Sequence, residues 1–155
     1  MPFYSFDTSS FLNGQRDLFP PTIFPTLWEN IEGMIATGTV RSVDLVRDEL
    51  EGKDDDVPRW AKAQPALFVP LTEDVQLAVR EVLAAHRKLI GVGSGRSGAD
   101  PFVIALARVH GGTVVTEELL SRNLTKPKIP DVCDAMRIRR LNLMQFIQEQ
   151  GWIFR

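Results

Sequence analysis

"SGADPFVIALARVHGGTVVTEE", residues 97–118, joins an almost wholly apolar helix to an apolar strand through two glycines. Pro101 suits the first turn of a helix, where its missing N–H leaves nothing unpaired, and Gly111 suits the residue past the end. Asp100, just before Pro101, makes a good N-cap, which explains an acid there without any chemistry. One carboxylate oxygen can cap while the other meets a cation, so the two roles also coexist. "TVVTEE" reads as a buried-type strand that ends in the acids Glu117 and Glu118.

Working outward, the same alternation recurs. Tyr4–Phe6 reads as a short strand finishing at Asp7, and Thr8, Ser9 and Ser10 follow at once. Asp-Thr-Ser-Ser is good turn chemistry, because these side chains bond nearby backbone groups, and it is equally half of a metal site. After a proline-rich loop, Leu27, Ile31, Met34 and Ile35 fall at helical spacing, with Gly38 as the stop. "TVRSV" (39–43) reads as a strand. "DLVRDELEG" (44–52) reads as a helix with Ser42 as its cap, followed by a charged loop from Lys53 to Asp56. Trp60 begins a short helical segment that Pro65 ends. "ALFVPL" (66–71) reads as a strand, with Pro70 near its end or on an edge. A long helix runs from Thr72 to about Leu89. Beyond residue 118 follow a helix ("IPDVCDAMRI"), a last strand ("RRLN") and a closing helix ("LMQFIQEQG"). Strands alternating with helices predict an α/β fold with a mostly parallel sheet, whose ligands collect at the carboxyl ends of strands. Asp7 and the Glu117–Glu118 pair then share one rim.

Length and composition narrow the class. A chain of 155 residues, 44% hydrophobic and 25% charged, predicts a single domain over residues 1–155 with a core that needs no disulfide. Cys133 stands alone, which fits a reducing, cytoplasmic setting. No apolar run approaches the roughly 18 residues of a membrane span, and the N-terminus lacks a secretory pattern. A net charge of −2 gives no global attraction to nucleic acid, so such binding needs a local basic patch.

The acids carry the chemistry. Glu49 lies four residues after Leu45 and three after Val46, so it leans toward the apolar face of its helix. A carboxylate there is costly unless paired or cation-bound, although a Glu at such a boundary also swings out to solvent. Glu117 and Glu118, taken singly, are ordinary solubilising residues. As a set, Asp7, Glu49, Asp100 and Glu117 or Glu118 each begin or interrupt an apolar element. Clustered carboxylates raise one another's pKa unless a cation neutralises them, and oxygen-only donors suit Mg²⁺ or Mn²⁺ rather than Zn²⁺. His86, His110 and Cys133 lack zinc spacing.

The ordered set "SFDTSSFL", a mid-chain Glu on a helix, "GADPFVIALA" and "VVTEE" resembles the PIN-domain ribonucleases, of which the toxins of VapBC-type toxin–antitoxin pairs are the best-known branch. The resemblance runs from residue 4 to about residue 146. It implies a three-layer α/β/α PIN-like fold, and metal ligation by Asp7, Glu49 and Asp100. The fourth acid is Glu118 or its neighbour Glu117, with Asp131 a further candidate. Thr8 or Ser9 would orient a ligand or a metal-bound water beside Asp7. The resemblance also implies hydrolysis of RNA phosphodiesters, in which one or two Mg²⁺ or Mn²⁺ ions activate a water. A protein antitoxin and a homodimer are the partners it suggests.

Charge is uneven along the chain. Residues 44–56 carry seven acids against two bases, and residues 122–140 carry six bases against two acids. Arg122, Lys126 and Lys128 follow the acidic strand end directly and are candidates to hold RNA phosphates, against the plainer reading of a solvated basic loop. Arg96, in "GVGSGRSGAD", is another candidate. That loop lacks the GxxxxGK[ST] pattern of a nucleotide-triphosphate site. Trp28 and Trp60 are better read as core than as base-stacking platforms. Two other functions compete: a PIN-like RNA- or protein-binding module without catalysis, and a haloacid-dehalogenase-like phosphohydrolase with Asp7 as nucleophile. The second usually has another Asp two residues on, where this chain has Ser9.

Overall fold

Among the described residues five short strands form one sheet: β1 (Tyr4–Phe6), β2 (Val40–Val43), β3 (Phe68–Val69), β4 (Thr113–Val115) and β5 (Arg140–Leu141). The structure is a computed structural model that describes residues 2–53, 56–87 and 98–155. The strand order is β3-β2-β1-β4-β5, with every pairing parallel. Parallel neighbours need crossovers, and helices supply them. They are α1 (Thr8–Asn13), α2 (Pro25–Ala36), α3 (Asp44–Glu51), α4 (Asp56–Lys62), α5 (Glu73–Ala85), α6 (Asp100–His110), α7 (Ile129–Met136) and α8 (Leu143–Gln150).

Alternation along β1 separates the two helical layers. Ser5 points to one face, where its Oγ donates to the Val103 carbonyl of α6 at 2.8 Å. Tyr4 and Phe6 point to the other and meet Phe146 of α8 edge-on, with ring centroids 4.9 and 5.2 Å apart. Phe6, Phe11 and Phe146 are fully buried, each contributing about 1.5–3 kcal/mol. Helix α6 packs on β1 and β2 and is covered by α5. That double contact explains why Val103 to Ala107 is apolar on all sides and buried throughout.

The two glycines after α6 have separate reasons. Gly111 closes the helix at φ +60, a left-handed conformation that side chains disfavour. At Gly112 a Cβ would stand 2.5 Å from the Phe3 carbonyl oxygen. The chain thus turns tightly enough for the Thr113 N–H to bond Phe3 and start β4 beside β1.

Several sequence expectations need correction. Asp7 caps a helix, α1, where the sequence suggested only a turn, and α1 runs on into a π-helical turn over Gly14–Leu18. Ser42 is not the cap of α3. It lies within β2, its Oγ donates to the Phe6 carbonyl at 2.6 Å, and Val43 holds the capping position. "ALFVPL" forms only the two-residue edge strand β3, after a 3₁₀ turn at Pro65–Leu67. Pro70 cannot donate to a ladder and falls just outside it. α5 stops at Ala85, short of Leu89, which lies outside the described residues. Trp28 is core, and Trp60, partly buried, packs edge-on against it at 5.5 Å. No helix among the described residues is long and apolar enough to cross a membrane.

Candidate active site

Asp7 follows the last residue of the central strand, and its own N–H still bonds the Val115 carbonyl of β4 at 3.1 Å. The sheet therefore sets its backbone. The side chain caps α1, accepting from the Ser10 N–H at 2.8 Å, while the Ser10 hydroxyl donates back to the Asp7 carbonyl. Ser9 Oγ lies 2.9 and 2.8 Å from the two carboxylate oxygens, and the Thr116 hydroxyl donates to Oδ2. Those two hydroxyls in turn accept the backbone N–H groups of Glu117 and Glu118, both at 3.0 Å. The acid is 2% exposed. Burial pushes it up to about 6, against the lowering effect of Thr116, Ser10 and Ser9, and the charge of Glu118 pushes it the same way.

The other acids reach this rim by different routes. α6 ends where β4 begins, so its N-terminus lies at the carboxyl end of the sheet. Asp100 is one helical turn before Val103, the residue to which Ser5 bonds, and it is buried. It is the first residue of α6 rather than its N-cap, a correction to the capping reading. Ala99 holds the capping position and makes no side-chain bond there. Glu49 is half-buried between Val46 and Leu50 on α3, which starts at the same edge after β2 and packs on α1.

Glu117 and Glu118 flank the rim on opposite sides. Glu117 Oε1 accepts the Leu143 N–H at 2.7 Å, at the start of α8, and Glu118 Oε2 accepts the Ile129 N–H at 3.0 Å, at the start of α7. Each carboxylate thus meets the positive end of a helix dipole. Glu118 is the one whose charge reaches Asp7. Asp131 serves differently. Its oxygens accept from the Ser121 N–H and hydroxyl, the Arg122 N–H and the Lys128 N–H, all between 2.7 and 3.0 Å. Burial alone would raise its pKa, but these donors hold it down to about 2. Its carboxylate organises the loop over residues 121–128 rather than facing Asp7.

Ser9 engages Asp7 as one of the two expected hydroxyls, whereas Thr8 does not: its Oγ1 is buried with no hydrogen-bond partner among the described residues. Thr116, the residue the sequence reading missed, is the closer match to that role, and its signal was the Thr of "VVTEE". Arg122, Lys126 and Lys128 are exposed on the loop that leaves Glu118, with Arg122 in the left-handed region at φ 59. Arg96 lies outside the described residues. Burial pushes the Cys133 thiol up to about 12, so it is no nucleophile.

A divalent ion needs hard oxygen donors beside a charge that burial has left uncompensated. Asp7 provides the charge, and the partnerless Thr8 hydroxyl one residue on provides a spare polar atom. In the present side-chain arrangement no three His, Cys, Asp or Glu groups among the described residues converge on one point. The donors fit such an ion in kind, while Glu117 and Glu118 accept from the N-termini of α8 and α7.

Two solved structures share this fold at low identity. VapBC2 from Rickettsia felis, bound to a DNA fragment from its promoter, matches with a TM-score of 0.55 and 12% identity, covering 90% of this chain and 98% of that one. FitAcB from Neisseria gonorrhoeae matches at 0.53 and 15%, covering 90% and 97%. No curated protein matches the sequence. A family model described as a domain of unknown function (DUF4411) matches residues 4–154. The chain therefore belongs to the DUF4411 family, and its parallel five-stranded sheet with helices on both faces is the PIN-like fold.

Proposed function

We propose that this protein is a metal-dependent endoribonuclease, the toxin of a toxin–antitoxin pair, acting as a single domain in the cytoplasm. One observation carries the reading: Asp7, buried at the end of the central strand, keeps its carboxylate beside Glu118 although burial pushes it up to about 6. A fold retains such a costly group when something else compensates its charge. Asp7, Glu49, Asp100 and Glu118 (or Glu117) would hold Mg²⁺ or Mn²⁺. The ion supplies stabilisation of charge on the phosphate and a more acidic water. Ser9 and Thr116 orient the Asp7 carboxylate, and Arg122, Lys126 and Lys128 hold the RNA backbone. The structural neighbours are toxin–antitoxin complexes, which supports a protein antitoxin as the partner.

The test is cleavage of single-stranded RNA by purified protein with Mn²⁺ or Mg²⁺, comparing wild type with Asp7→Asn and Asp100→Asn. Metal-dependent cleavage that survives both substitutions would sink the assignment. A second reading, a PIN-like binding module, is favoured by the commitment of Glu117 and Glu118 to backbone N–H groups. Wild-type protein that binds RNA but cleaves none with either metal would establish it.

A further inference from the structure

At the far end of α1 the chain leaves α-helical geometry for the π-helical turn Gly14–Leu18. Such turns are rare, and they occur often at functional sites. Gly14 permits this one to sit deep: a Cβ there would stand 2.6 Å from Leu143 Cδ1 and 3.2 Å from the Trp28 ring. The next residue, Gln15, is 6% exposed, and its Nε2 has no hydrogen-bond partner among the described residues. A buried, unpaired amide donor is destabilising, so its presence calls for an acceptor.

Gln15 lines a pocket of about 240 Å³ with Pro20, Pro21, Thr22 and Val57, and the charged residues Arg16 and Asp56 complete its walls. The pyrrolidine rings and the valine give flat apolar faces, and Thr22 gives a hydroxyl. Gln15 Nε2 is shielded from solvent, and rotation about the last side-chain bond exchanges the amide's N and O, so either atom can turn toward the pocket. The volume is below the usual range for drug-sized ligands and suits one flat ring system. The six residues of α1 separate this pocket from Asp7 by roughly 10 Å along the helix axis.

We infer that this pocket receives one unstacked nucleobase of the RNA substrate, with Gln15 donating to an acceptor on the base edge and Pro20 and Pro21 covering its face. The inference rests on the nuclease reading for the identity of the ligand. It makes Gln15 a binding residue that neither the acidic site nor the basic loop includes.

Gln15→Met keeps the length of the side chain and removes the donor, and Gln15→Glu turns it into an acceptor. With the Met variant, the melting temperature rises by about 2–4 °C, because the orphan amide is gone. KM for single-stranded RNA rises about 5- to 10-fold with kcat retained, the loss expected for one hydrogen bond made equally in ground and transition states. The Glu variant loses at least as much affinity. An unchanged KM in both variants, in protein that cleaves RNA normally, overturns the pocket and leaves the nuclease standing. Should the wild type cleave nothing, the side-chain NH₂ resonances of Gln15, identified by their loss in Gln15→Met, are followed as hexauridylate is added without metal. Their shift supports the pocket independently of cleavage. Resonances that stay fixed with the oligonucleotide overturn it, as does a shift seen only when an antitoxin protein is added, which would give the pocket to a peptide carbonyl.

Discussion

Asp7 and Asp131 are both buried aspartates, at 2% and 6% exposure, yet their carboxyls move in opposite directions, to about 6 and about 2. Burial raises both. Asp131 collects four donors, three of them backbone N–H groups, on a loop that it pins to the start of α7. Asp7 has Ser10 N–H and two hydroxyls that are shared with the next backbone groups, and it faces the charge of Glu118. One acid is satisfied by the fold and stabilises it. The other is left costly, which marks it for function rather than structure.

The comparison breaks most sharply at Asp7. Asp7→Asn should lower RNA cleavage more than about 100-fold, since losing groups one step removed from a metal already costs about 10–100-fold. The same variant, without metal at pH 8, should be more stable by about 1–3 kcal/mol in urea titrations, because a buried charge becomes a neutral cap. An Asn that both inactivates and destabilises would place Asp7 in the same class as Asp131. Next in size, Thr116→Val should reduce cleavage about 10- to 100-fold without changing the fold, by freeing one Asp7 oxygen and the Glu118 N–H. Circular dichroism and turnover read the two parts separately.

At Asp131 the sign reverses. Its folded pKa is depressed, so its contribution is present above about 3.8 and is lost as pH falls toward about 2. Asp131→Asn should cost about 2 kcal/mol at pH 7, and the difference from wild type should vanish near pH 2. Asp7 is raised, so its favourable contribution is complete below about 3.8 and is lost as pH rises through about 6. Metal-free wild type should therefore lose stability between pH 4 and 6 by a slope that Asp7→Asn removes. The smallest effect is at the basic loop: Lys126→Ala should weaken RNA binding a few-fold and reduce the salt dependence by about one charge. A variant with an unaltered salt slope would remove that loop from the interface.

Much of this was legible in the residues, and the misses have physical causes. The apolar run Phe102–Ala107 and its glycine stop announce α6, because a helix buried between sheet and helix has no face left for polar residues. Ser42 misled as a cap because a Ser in a strand looks the same in sequence. Only the neighbouring strand reveals that its hydroxyl is spent on the Phe6 carbonyl. The helix after Asp7 was hidden by Thr8, Ser9 and Ser10, whose hydroxyls favour turns until tertiary packing of Phe11 pulls them into α1. Asp131 was weighed as a ligand since its sequence shows an acid near the others, while the loop that consumes it folds back from residues 121 and 122.

The sequence by itself determined the alternation of strands and helices beyond α1, the parallel sheet and which acids end its strands, because periodicity, proline and glycine are local. Tertiary structure alone decided which carboxylate is satisfied and which is left short of donors. It also decided that Thr116 rather than Thr8 bonds to Asp7, and that Gln15 Nε2 is buried without a partner among the described residues. Hydrogen-bond partners more than a hundred residues apart, such as Asp7 and Thr116, meet only when β1 and β4 pair. The cost of a buried polar group depends on those partners, not on its neighbours in sequence.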